Sequence, residues 1–359
     1  MTALIQEQFP MNLPPQTVLI TGGSGFFGGI LKRHLLEKGY TCINIDLLPD
    51  EDSHPRLRSL QLDLRDYNGM FGALKNEPIG CIFHCAAMLA HDIKDQKALW
   101  DSNVEGTRNV GELALNINAK KIVFISSNCL WGKAFGRPVK EEDEPDPIEV
   151  YGKSKWEAEK VLGKIADRMP IAIIRSPTIV DAGRLGLLSI LFEFIVESRR
   201  VWVVGSGANR YQFIYAKDFA NACHLLMLNE AAGVFNIGSD NVKSLREIYQ
   251  YVIDKAGSQS RVVSFPRGPA ILAMRLAHLL NISPLGPYHY RMIAEDFIFD
   301  TSKLKAATSW SPTLTNEEML FEAYQYYSSN KHEITARETP SAHRKNAPLG
   351  VIRILKWLS

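Results

Sequence analysis

The feature that most constrains the fold is a glycine-rich segment between a short apolar strand and an amphipathic helix. The run TVLIT at 17–21 predicts a buried strand, and residues 26–38 predict a helix. Between them, TGGSGFFG contains the pattern Gly23-x-Gly25-x-x-Gly28. Glycines at this spacing allow a tight turn close to a phosphate, and the first turn of the helix offers unpaired N–H groups. The segment therefore predicts a nucleotide-binding α/β fold.

The alternation of strands and helices continues to about residue 180. The strands are predicted at TCINID, LQLD, CIFHCAA, KIVFISS and IAIIRS, and the helices at 66–76, 93–117 and 149–167. Short apolar strands that alternate with helices form βαβ units, and right-handed crossovers place the helices on both faces of a parallel sheet. We predict a doubly wound parallel Rossmann sheet over residues 17–180.

Beyond residue 180 the elements become shorter and more mixed, which predicts a smaller α/β substrate-binding lobe over 181–330. Its predicted elements are helices at 184–198, 217–229 and 244–256 and strands at VWVV, QFIYA and VFNI. Part of this lobe can return to the Rossmann sheet. Because open α/β sheets bind ligands at the carboxyl ends of their strands, the lobe would close that crevice over a substrate.

The charge of the whole chain is nearly balanced, whereas its C-terminal segment has a pattern of its own. The 359 residues include 41 Lys or Arg and 39 Asp or Glu, a balance that gives no support for a nucleic-acid binder working by bulk charge. Residues 331–347 are polar and predict a linker. In 348–359, LGVIRILKWLS places its apolar residues on one helical arc opposite Arg353 and Lys356. This pattern predicts a basic amphipathic helix that contacts an anionic membrane surface, or alternatively docks on the protein body or a dimer partner.

Other features favour a cytoplasmic protein without a metal site. Its five cysteines are widely spread and are expected to be reduced thiols. Cys81 and Cys85 lack a second pair of ligands at zinc spacing. The N-terminal extension at 1–16 has no basic start or apolar core of a signal peptide, and no apolar run approaches the ~18–20 residues of a membrane span.

Acidic residues after two predicted strands indicate which nucleotide binds. Asp46 ends TCINID, where a carboxylate can accept hydrogen bonds from ribose hydroxyls and would repel a 2′-phosphate. The next residues, Leu47 and Leu48, are not basic, so NAD is favoured over NADP. Asp63 ends LQLD and is expected either to accept a bond from the adenine amino group or to cap the strand end.

A tyrosine and a lysine open the helix predicted at 149–167. Tyr151 and Lys155 stand four residues apart and share a helix face, and Ser126 and Ser127 end the strand KIVFISS. A tyrosine is a poor base at neutral pH, but a lysine cation and a nicotinamide charge would lower its pKa. Tyr151 could then take a proton from a carbinol as hydride leaves its carbon, with Ser127 bonded to the same oxygen. The alternative is a structural tyrosine beside a surface lysine.

Together these residues resemble the extended short-chain dehydrogenase/reductases, and more narrowly their NAD-dependent epimerase/dehydratase family, which modifies nucleotide sugars. The resemblance covers about 17–328, and its further blocks are HCAA at 84–87, NVEGT at 103–107, FIYAKDFA at 213–220, FNIG at 235–238 and DTSK at 300–303. It implies a homodimer formed by a four-helix bundle of the 93–117 and 149–167 helices.

The resemblance also implies roles for individual residues. Ser127, Tyr151 and Lys155 would be catalytic, in an epimerisation that passes through a keto intermediate. The residues expected at the NAD cofactor are Gly22, Gly25, Phe26, Phe27, Gly28, Asp46, Asp63, Leu64, Ala86, Ala87, Asn103, Ser126, Tyr151, Lys155, Ser176 and Thr178. Substrate contacts are expected from Asn128, Cys129, Arg210 and Arg291.

Departures from the family pattern bear on the reaction. Dehydratases of the family carry Asp-Glu after the catalytic Ser or Thr, whereas this chain has Asn128-Cys129, which disfavours 4,6-dehydration. Cys129 matches a position where 3,5-epimerases and GDP-fucose synthases use an acid/base cysteine, with a buried structural thiol as the alternative. Thr178 replaces the usual asparagine. His84, inside a strand, is expected to be a core histidine bonded to backbone.

Two further functions share the same core. One is a dehydrogenase or reductase of a hydrophobic alcohol or ketone, similar to sterol dehydrogenases or dihydroflavonol reductases. The other is a non-catalytic nucleotide-sensing protein, against which the Ser127, Tyr151 and Lys155 set argues.

Overall fold

The computed structural model describes residues 16–89, 95–184, 186, 188–279, 288, 292 and 294–336. Its strands are β1 (Thr17–Thr21), β2 (Thr41–Asp46), β3 (Leu57–Gln61), β4 (Ile79–His84), β5 (Lys121–Ser127), β6 (Ile171–Ser176), β7 (Thr178–Val180), β8 (Arg200–Val204), β9 (Phe213–Tyr215), β10 (Gly233–Asn236) and β11 (Arg261–Phe265). Seven of them form one parallel sheet in the order β10-β6-β5-β4-β1-β2-β3. The predicted doubly wound sheet is confirmed.

The helices of the described residues cover both faces of this sheet and build the lobe. They are α1 (Phe26–Glu37), α2 (Tyr67–Leu74), α3 (Gln96–Trp100), α4 (Gly106–Asn116), α5 (Val150–Gly163), α6 (Leu188–Val196), α7 (Ala216–Leu228), α8 (Leu245–Ala256), α9 (Arg267–Leu279), α10 (Ser302–Thr308), α11 (Asn316–Ser329) and α12 (Lys331–Ala336). A π-helical turn at Asp101–Glu105 joins α3 to α4, so the helix predicted at 93–117 is one interrupted rod. None of the helices described is long and apolar enough to cross a membrane.

Two apolar layers sandwich the sheet. On one face, α1 and α7 pack against buried residues of β1, β4, β5, β6 and β10. On the other face, α2, α4 and α5 pack against the same central strands. The side chains of the central strands are almost entirely buried, as the continuous apolar runs of a parallel sheet require. This sandwich fixes the carboxyl ends of the strands as a single edge.

The third strand lies earlier in the sequence than the prediction of LQLD. It pairs with β2 over Leu57–Gln61 and ends opposite Asp46, so Asp63 lies two residues beyond it. β3 is the outermost strand on this side of the sheet, and its residues are mostly exposed or half-buried. An edge strand does not need a continuous apolar run. The strand was predicted at LQLD because that segment is more apolar, and this placed it too far along the chain.

The residues after 180 form a second core and also return to the sheet. In the lobe, α6, α8 and α11 pack around β8, and β8 pairs in parallel with β11. The chain rejoins the large sheet through β10, which pairs with β6. A small cluster that includes Trp131, Val139, Phe297 and Phe299 connects the lobe to the segment after β5. Neither α9 nor α11 was predicted from the pattern.

The ends of the chain are described only in part. The first six residues of the predicted linker form α12, where Ile334 packs on the lobe core and Lys331 lies 3.0 Å from a Glu193 oxygen. The predicted C-terminal helix at 348–359 lies outside the described residues, as does the predicted N-terminal extension except for residue 16.

Candidate active site

The glycine loop lies between β1 and α1, at the point where the chain order of the sheet reverses. A Cβ at Gly28 would lie 2.1 Å from the Gly22 carbonyl oxygen, and one at Gly22 would lie 2.7 Å from the Ala86 backbone. Gly25 is the N-cap of α1 and has no side chain that could bond to the first N–H groups of the helix, and no acidic residue lies in the first turn. These N–H groups and the positive end of the helix dipole fit the diphosphate of a dinucleotide.

Phe26 and Phe27 open α1 directly after the glycine loop. Both side chains are buried in the layer between α1 and α7, where the Phe27 ring stacks on Phe219 at 4.2 Å. The packing holds the first turn of the helix in place.

The carboxylate of Asp46 lies beside the glycine loop at the end of β2. Its two oxygens accept hydrogen bonds from the backbone N–H groups of Ser24 and Leu48, each at 3.0 Å. The nearby cation Lys32 is fully buried and pairs with Asp50 and, at 3.1 Å, with Asp52. Because these carboxylates neutralise Lys32, its charge is not available to bind a 2′-phosphate. Asp46 is the group that faces the predicted ribose position.

Asp63 and Leu64 follow β3 on the same edge. The Asp63 carboxylate accepts hydrogen bonds from the Arg65 side chain and backbone, and this contact lowers the pKa of Asp63. Leu64 is buried, and its carbonyl oxygen accepts a bond from Asn109. The predicted contacts of Asp63 and Leu64 with the cofactor stay a prediction.

The segment after β4 carries Ala86 and Ala87 and is held by Asn103. The Asn103 amide accepts a bond from the Met88 N–H and donates to the Met88 carbonyl and the Ser154 hydroxyl, at 2.8–3.0 Å. Asn103 lies in the π-helical turn, a distortion that frequently marks functional sites. Its side chain positions the loop that lies against the glycine turn.

His84 ends β4 and is a core residue, as predicted, but its partners are not backbone groups. Its ring nitrogens bond to the hydroxyls of Thr21 and Thr107 at 2.7 and 2.8 Å. Burial lowers its pKa to about 3, so the ring is neutral. The expectation of backbone partners was wrong, because two threonine hydroxyls lie on the adjoining elements.

The three residues predicted to be catalytic converge at the carboxyl end of β5. Ser127 ends that strand, and Tyr151 and Lys155 lie on the first turns of α5. Burial raises the pKa of Tyr151 above its ordinary value, and Cys129 adds to this effect. A hydrogen bond with Ser127 and the charge of Arg184 act in the opposite direction. The lowered tyrosine pKa expected from the sequence is therefore not seen in the protein alone.

Lys155 points into the sheet and is only 2% exposed. Its Nζ atom lies 4.0 Å from the centre of the Phe124 ring, a cation–π contact. Burial lowers its pKa to about 7, while Glu159 and Cys85 act to raise it. Lys155 is thus a buried group that titrates near neutral pH.

Ser126 was predicted at the cofactor, yet its hydroxyl is used inside the protein. It donates to a Glu159 oxygen at 2.5 Å, and the same carboxylate receives a buried ion pair from Arg175 at 2.8 Å. Ser126 and Ser127 point to opposite sides because they are neighbours on a strand. The Ser126 bond ties α5, and with it Tyr151, to the sheet.

A chain of polar groups continues from Ser127 toward the lobe. Asn128 donates to the Tyr211 hydroxyl at 2.6 Å, which lies 3.4 Å from the Tyr288 hydroxyl. Thr178 also bonds to Tyr211. Burial raises the pKa of the adjacent Cys129 thiol to about 11, so the group is protonated at neutral pH.

The remaining predicted residues lie around this region. Ser176 is buried at the end of β6, and its hydroxyl is 3.4 Å from the Ser126 carbonyl. Arg210 is exposed, pairs with Asp296 at 3.1 Å and lines a cleft of about 340 Å³. Arg291 lies outside the described residues.

Arg184 is a candidate site residue that the sequence pattern did not reveal. Its guanidinium carbon lies 5.7 Å from the centre of the Phe26 ring, and its charge lowers the pKa of Tyr151. Burial lowers the pKa of Arg184 to about 10. The segment 184–198 was predicted as a helix, but α6 begins only at Leu188, so Arg184 lies in the loop that reaches the site.

The fold and these residues define an oxidoreductase-type dinucleotide site in an α/β protein. The family model described as the NAD dependent epimerase/dehydratase family matches residues 18–238, more than half of the chain, and the protein belongs to this family. This membership confirms the predicted family, enzyme class and cofactor.

Known relatives are consistent with the assignment. A protein of Sinorhizobium fredii named y4nG, itself uncharacterized, is 35% identical over 318 residues, covering 88% of this chain and 80% of the relative. An N-acetyl-alpha-D-glucosaminyl-diphospho-ditrans,octacis-undecaprenol 4-epimerase of Escherichia coli is 30% identical over 244 residues, covering 66% of each chain. The crystal structure of a UDP-glucose 4-epimerase of Thermotoga maritima with UDP-glucose superposes with a TM-score of 0.73 at 21% identity, covering 88% of this chain and all of that one.

Proposed function

We propose that the protein is an NAD-dependent epimerase that inverts a carbinol carbon of a nucleotide sugar. The observation that carries this proposal is the convergence of Ser127, Tyr151 and Lys155 on the edge that also holds the glycine loop. Asn128 and Cys129 occupy the place of the dehydratase Asp-Glu pair, so the site lacks those acid/base carboxyls. Oxidation followed by reduction of the same carbon needs no such pair.

Each of the three residues has a separate task. The Ser127 hydroxyl holds the substrate oxygen, and Tyr151 takes the proton of that hydroxyl and later returns it. NAD, when bound, supplies the hydride acceptor and a positive charge. Burial holds the pKa of Tyr151 high in the protein alone, so its deprotonation depends on positive charge arriving in the site.

Two cations of the chain bear on that proton transfer. Lys155 would bind the nicotinamide ribose from its buried position, and acceptor oxygens there would favour its charged form. Arg184 already lowers the pKa of Tyr151 and would hold a negatively charged part of the substrate or cofactor.

A sugar diphosphate carried on a polyprenol is a second candidate substrate. It presents the same kind of carbinol and diphosphate, and the Escherichia coli relative at 30% identity is named for it. The reaction at Tyr151 would be unchanged, and only the group beyond the diphosphate would differ.

The proposal also covers the oligomeric state of the protein and its place in the cell. We expect a cytoplasmic homodimer in which α4 and α5 of two copies pack together. Trp100, at the end of α3 on the same rod, is 36% exposed and would be covered there. We also expect the segment at 348–359 to provide a peripheral membrane contact. Light scattering after size exclusion tests the dimer, and a Trp100→Glu variant should be monomeric.

One assay separates epimerisation from dehydrogenation. The purified protein is incubated with UDP-N-acetylglucosamine, UDP-glucose or a 3β-hydroxysteroid, with and without added NAD. We expect a mixture of sugar epimers and no net NADH. Stoichiometric NADH with the steroid and no sugar conversion would instead identify a dehydrogenase of hydrophobic alcohols.

A further inference from the structure

A buried asparagine connects the glycine loop to strand β2. The Asn44 side chain is almost fully buried, and its Oδ1 atom accepts a hydrogen bond from the Gly23 N–H at 2.9 Å. A Cβ at Gly23 would lie 2.3 Å from this oxygen. Asn44 can therefore reach the backbone of the loop because residue 23 has no side chain.

The other end of the Asn44 amide is held by a carboxylate. Its Nδ2 atom donates to an Asp50 oxygen at 2.7 Å and to the Ser24 hydroxyl at 3.2 Å. A carboxylate can only accept and a backbone N–H can only donate, so the contacts with Asp50 and Gly23 fix which end of the amide is the oxygen. An asparagine suits this position because it presents an acceptor to the loop and a donor to Asp50.

Asp50 is itself buried, and its charge is balanced by Lys32 of α1. The Asp50 side chain is 4% exposed, that of Lys32 is fully buried, and the two form an ion pair. Burial acts to raise the pKa of Asp50, but hydrogen bonds from Lys32 and Ser59 outweigh it and hold the pKa below its ordinary value. Asp50 is therefore ionised at neutral pH, and Lys32 is connected to the glycine loop through Asp50 and Asn44.

Strand β2 also holds the residues of the loop on either side of Gly23. Asn44 and Asp46 are two residues apart on β2, so their side chains lie on the same face of the sheet. Asp46 accepts a bond from the Ser24 N–H at 3.0 Å, and the Gly22 N–H donates to the Ile45 carbonyl at 2.8 Å. Three successive N–H groups of the loop are thus bonded to β2. These contacts within the protein set the conformation of the loop, which lowers the ordering cost of binding a diphosphate.

We propose that Asn44 is a positioning residue for the cofactor diphosphate, and that the buried Lys32–Asp50 pair keeps its amide in the required orientation. Asn44 acts through the Gly23 N–H, because that bond fixes where the loop lies when the diphosphate binds. The diphosphate is common to NAD and NADP, whereas Asp46 acts at the ribose, where the two cofactors differ. This inference concerns cofactor binding alone, so it does not depend on the proposed epimerisation.

Calorimetric titration of the full-length protein with NAD and with NADP tests the role of Asn44. Asn44→Leu is similar in volume but makes neither hydrogen bond, and we expect about tenfold weaker binding of both cofactors with an unchanged ratio between them. Asn236→Leu is the matched control and should leave both affinities unchanged, because Asn236 is equally buried but lies in β10, at the far edge of the sheet. Affinities in Asn44→Leu within about twofold of the wild type, or a loss confined to one cofactor, would overturn the proposal.

Asn44→Asp keeps the shape of the side chain and provides a second test that does not depend on the folding of Asn44→Leu. When protonated, the introduced carboxyl can accept from Gly23 and donate to Asp50 as the amide does; when ionised, it meets Asp50 as a like charge. The other charged groups of the network are Lys32, Asp46 and Asp52. We expect the NAD affinity, divided by that of the wild type at the same pH, to be near one in acid and to fall about tenfold as the pH rises. A ratio that does not change with pH would contradict the role of the amide, as would a loss that high salt restores, since salt screens direct repulsion of the diphosphate.

The double variant Lys32→Met/Asp50→Leu tests the contribution of the ion pair. It removes both charges together, so no buried charge is left uncompensated. With Asn44 still present but no longer oriented, the affinities for NAD and NADP should fall by a few-fold in the same proportion. Wild-type affinity for both cofactors in this variant would show that the pair does not act on the glycine loop.

Discussion

The two sides of the candidate site are built in different ways. On the cofactor side, the glycine loop, Asp46 and Asn103 make hydrogen bonds with backbone groups of the same or the adjacent βα unit. On the substrate side, Tyr211 is placed by an isolated bridge to Phe297 and by a bond from Asn128, residues from three distant segments. Local sequence rules therefore determine the first side, and long-range packing determines the second.

The same difference explains what the sequence could and could not predict. The glycine pattern, the ends of β2 and β5 and the Tyr151–Lys155 spacing follow from the periodicity of each element, and the structure places them on one edge of the sheet. Arg184 lies in a short loop whose path depends on where α6 begins, and no local pattern indicates that. The Ser126 contact with Glu159 was missed because it depends on the packing of α5.

The largest predicted effect is at Tyr151, where the two sides meet. Tyr151→Phe removes the group that moves the proton and should lower kcat by about 10²–10⁴-fold, measured with the substrate that the assay identifies. Tyr327→Phe is the matched control, since the Tyr327 hydroxyl bonds to Glu193 in the lobe core. Turnover near the wild-type value in Tyr151→Phe would show that the base lies elsewhere.

The next effect is a pH dependence from the cofactor side. Burial lowers the pKa of Lys155 to about 7, below the value of about 10.5 in an unfolded chain. Between these values the unfolded chain binds more protons, so Lys155 makes the free energy of unfolding rise with pH in that window. Lys155→Met should therefore stabilise the cofactor-free protein most below pH 7, with the gain fading toward pH 10.

Urea unfolding at several pH values measures that dependence. Lys153→Met, on the exposed side of the same helix, is the control and should show no such trend. A gain in Lys155→Met that is the same at every pH would contradict the low pKa. The variant should also bind NAD more weakly, because the buried lysine would no longer reach the ribose.

A smaller effect concerns cofactor choice. Asp46→Ala should reduce the preference for NAD over NADP by about tenfold, the value of one lost charge-assisted hydrogen bond or one relieved repulsion. Titration of both cofactors against the wild type and the variant gives the ratio. Asp52→Ala, which alters the Lys32 network without touching the ribose, is the comparison. Equal wild-type affinities for NAD and NADP would refute the role of Asp46.

The smallest predicted effect is on the substrate side. Tyr211→Phe removes the acceptor for Asn128 and should lower kcat/KM only a few-fold, because one neutral hydrogen bond contributes about 0.5–1.5 kcal/mol. NAD affinity should not change, since Tyr211 lies toward the lobe. A loss of NAD binding in this variant would show that the two sides of the site are not separate.

The most direct test follows the hydrogen at the reacting carbon. A nucleotide sugar deuterated at the carbon that is inverted is converted by the purified protein in ordinary water, and both epimers are analysed by mass spectrometry. If Tyr151 moves only the hydroxyl proton while hydride leaves and returns within the site, the product retains its deuterium and no NADH accumulates. Loss of the label to solvent would instead indicate proton removal from carbon, as an acid/base role of Cys129 would require, and would contradict the proposed mechanism.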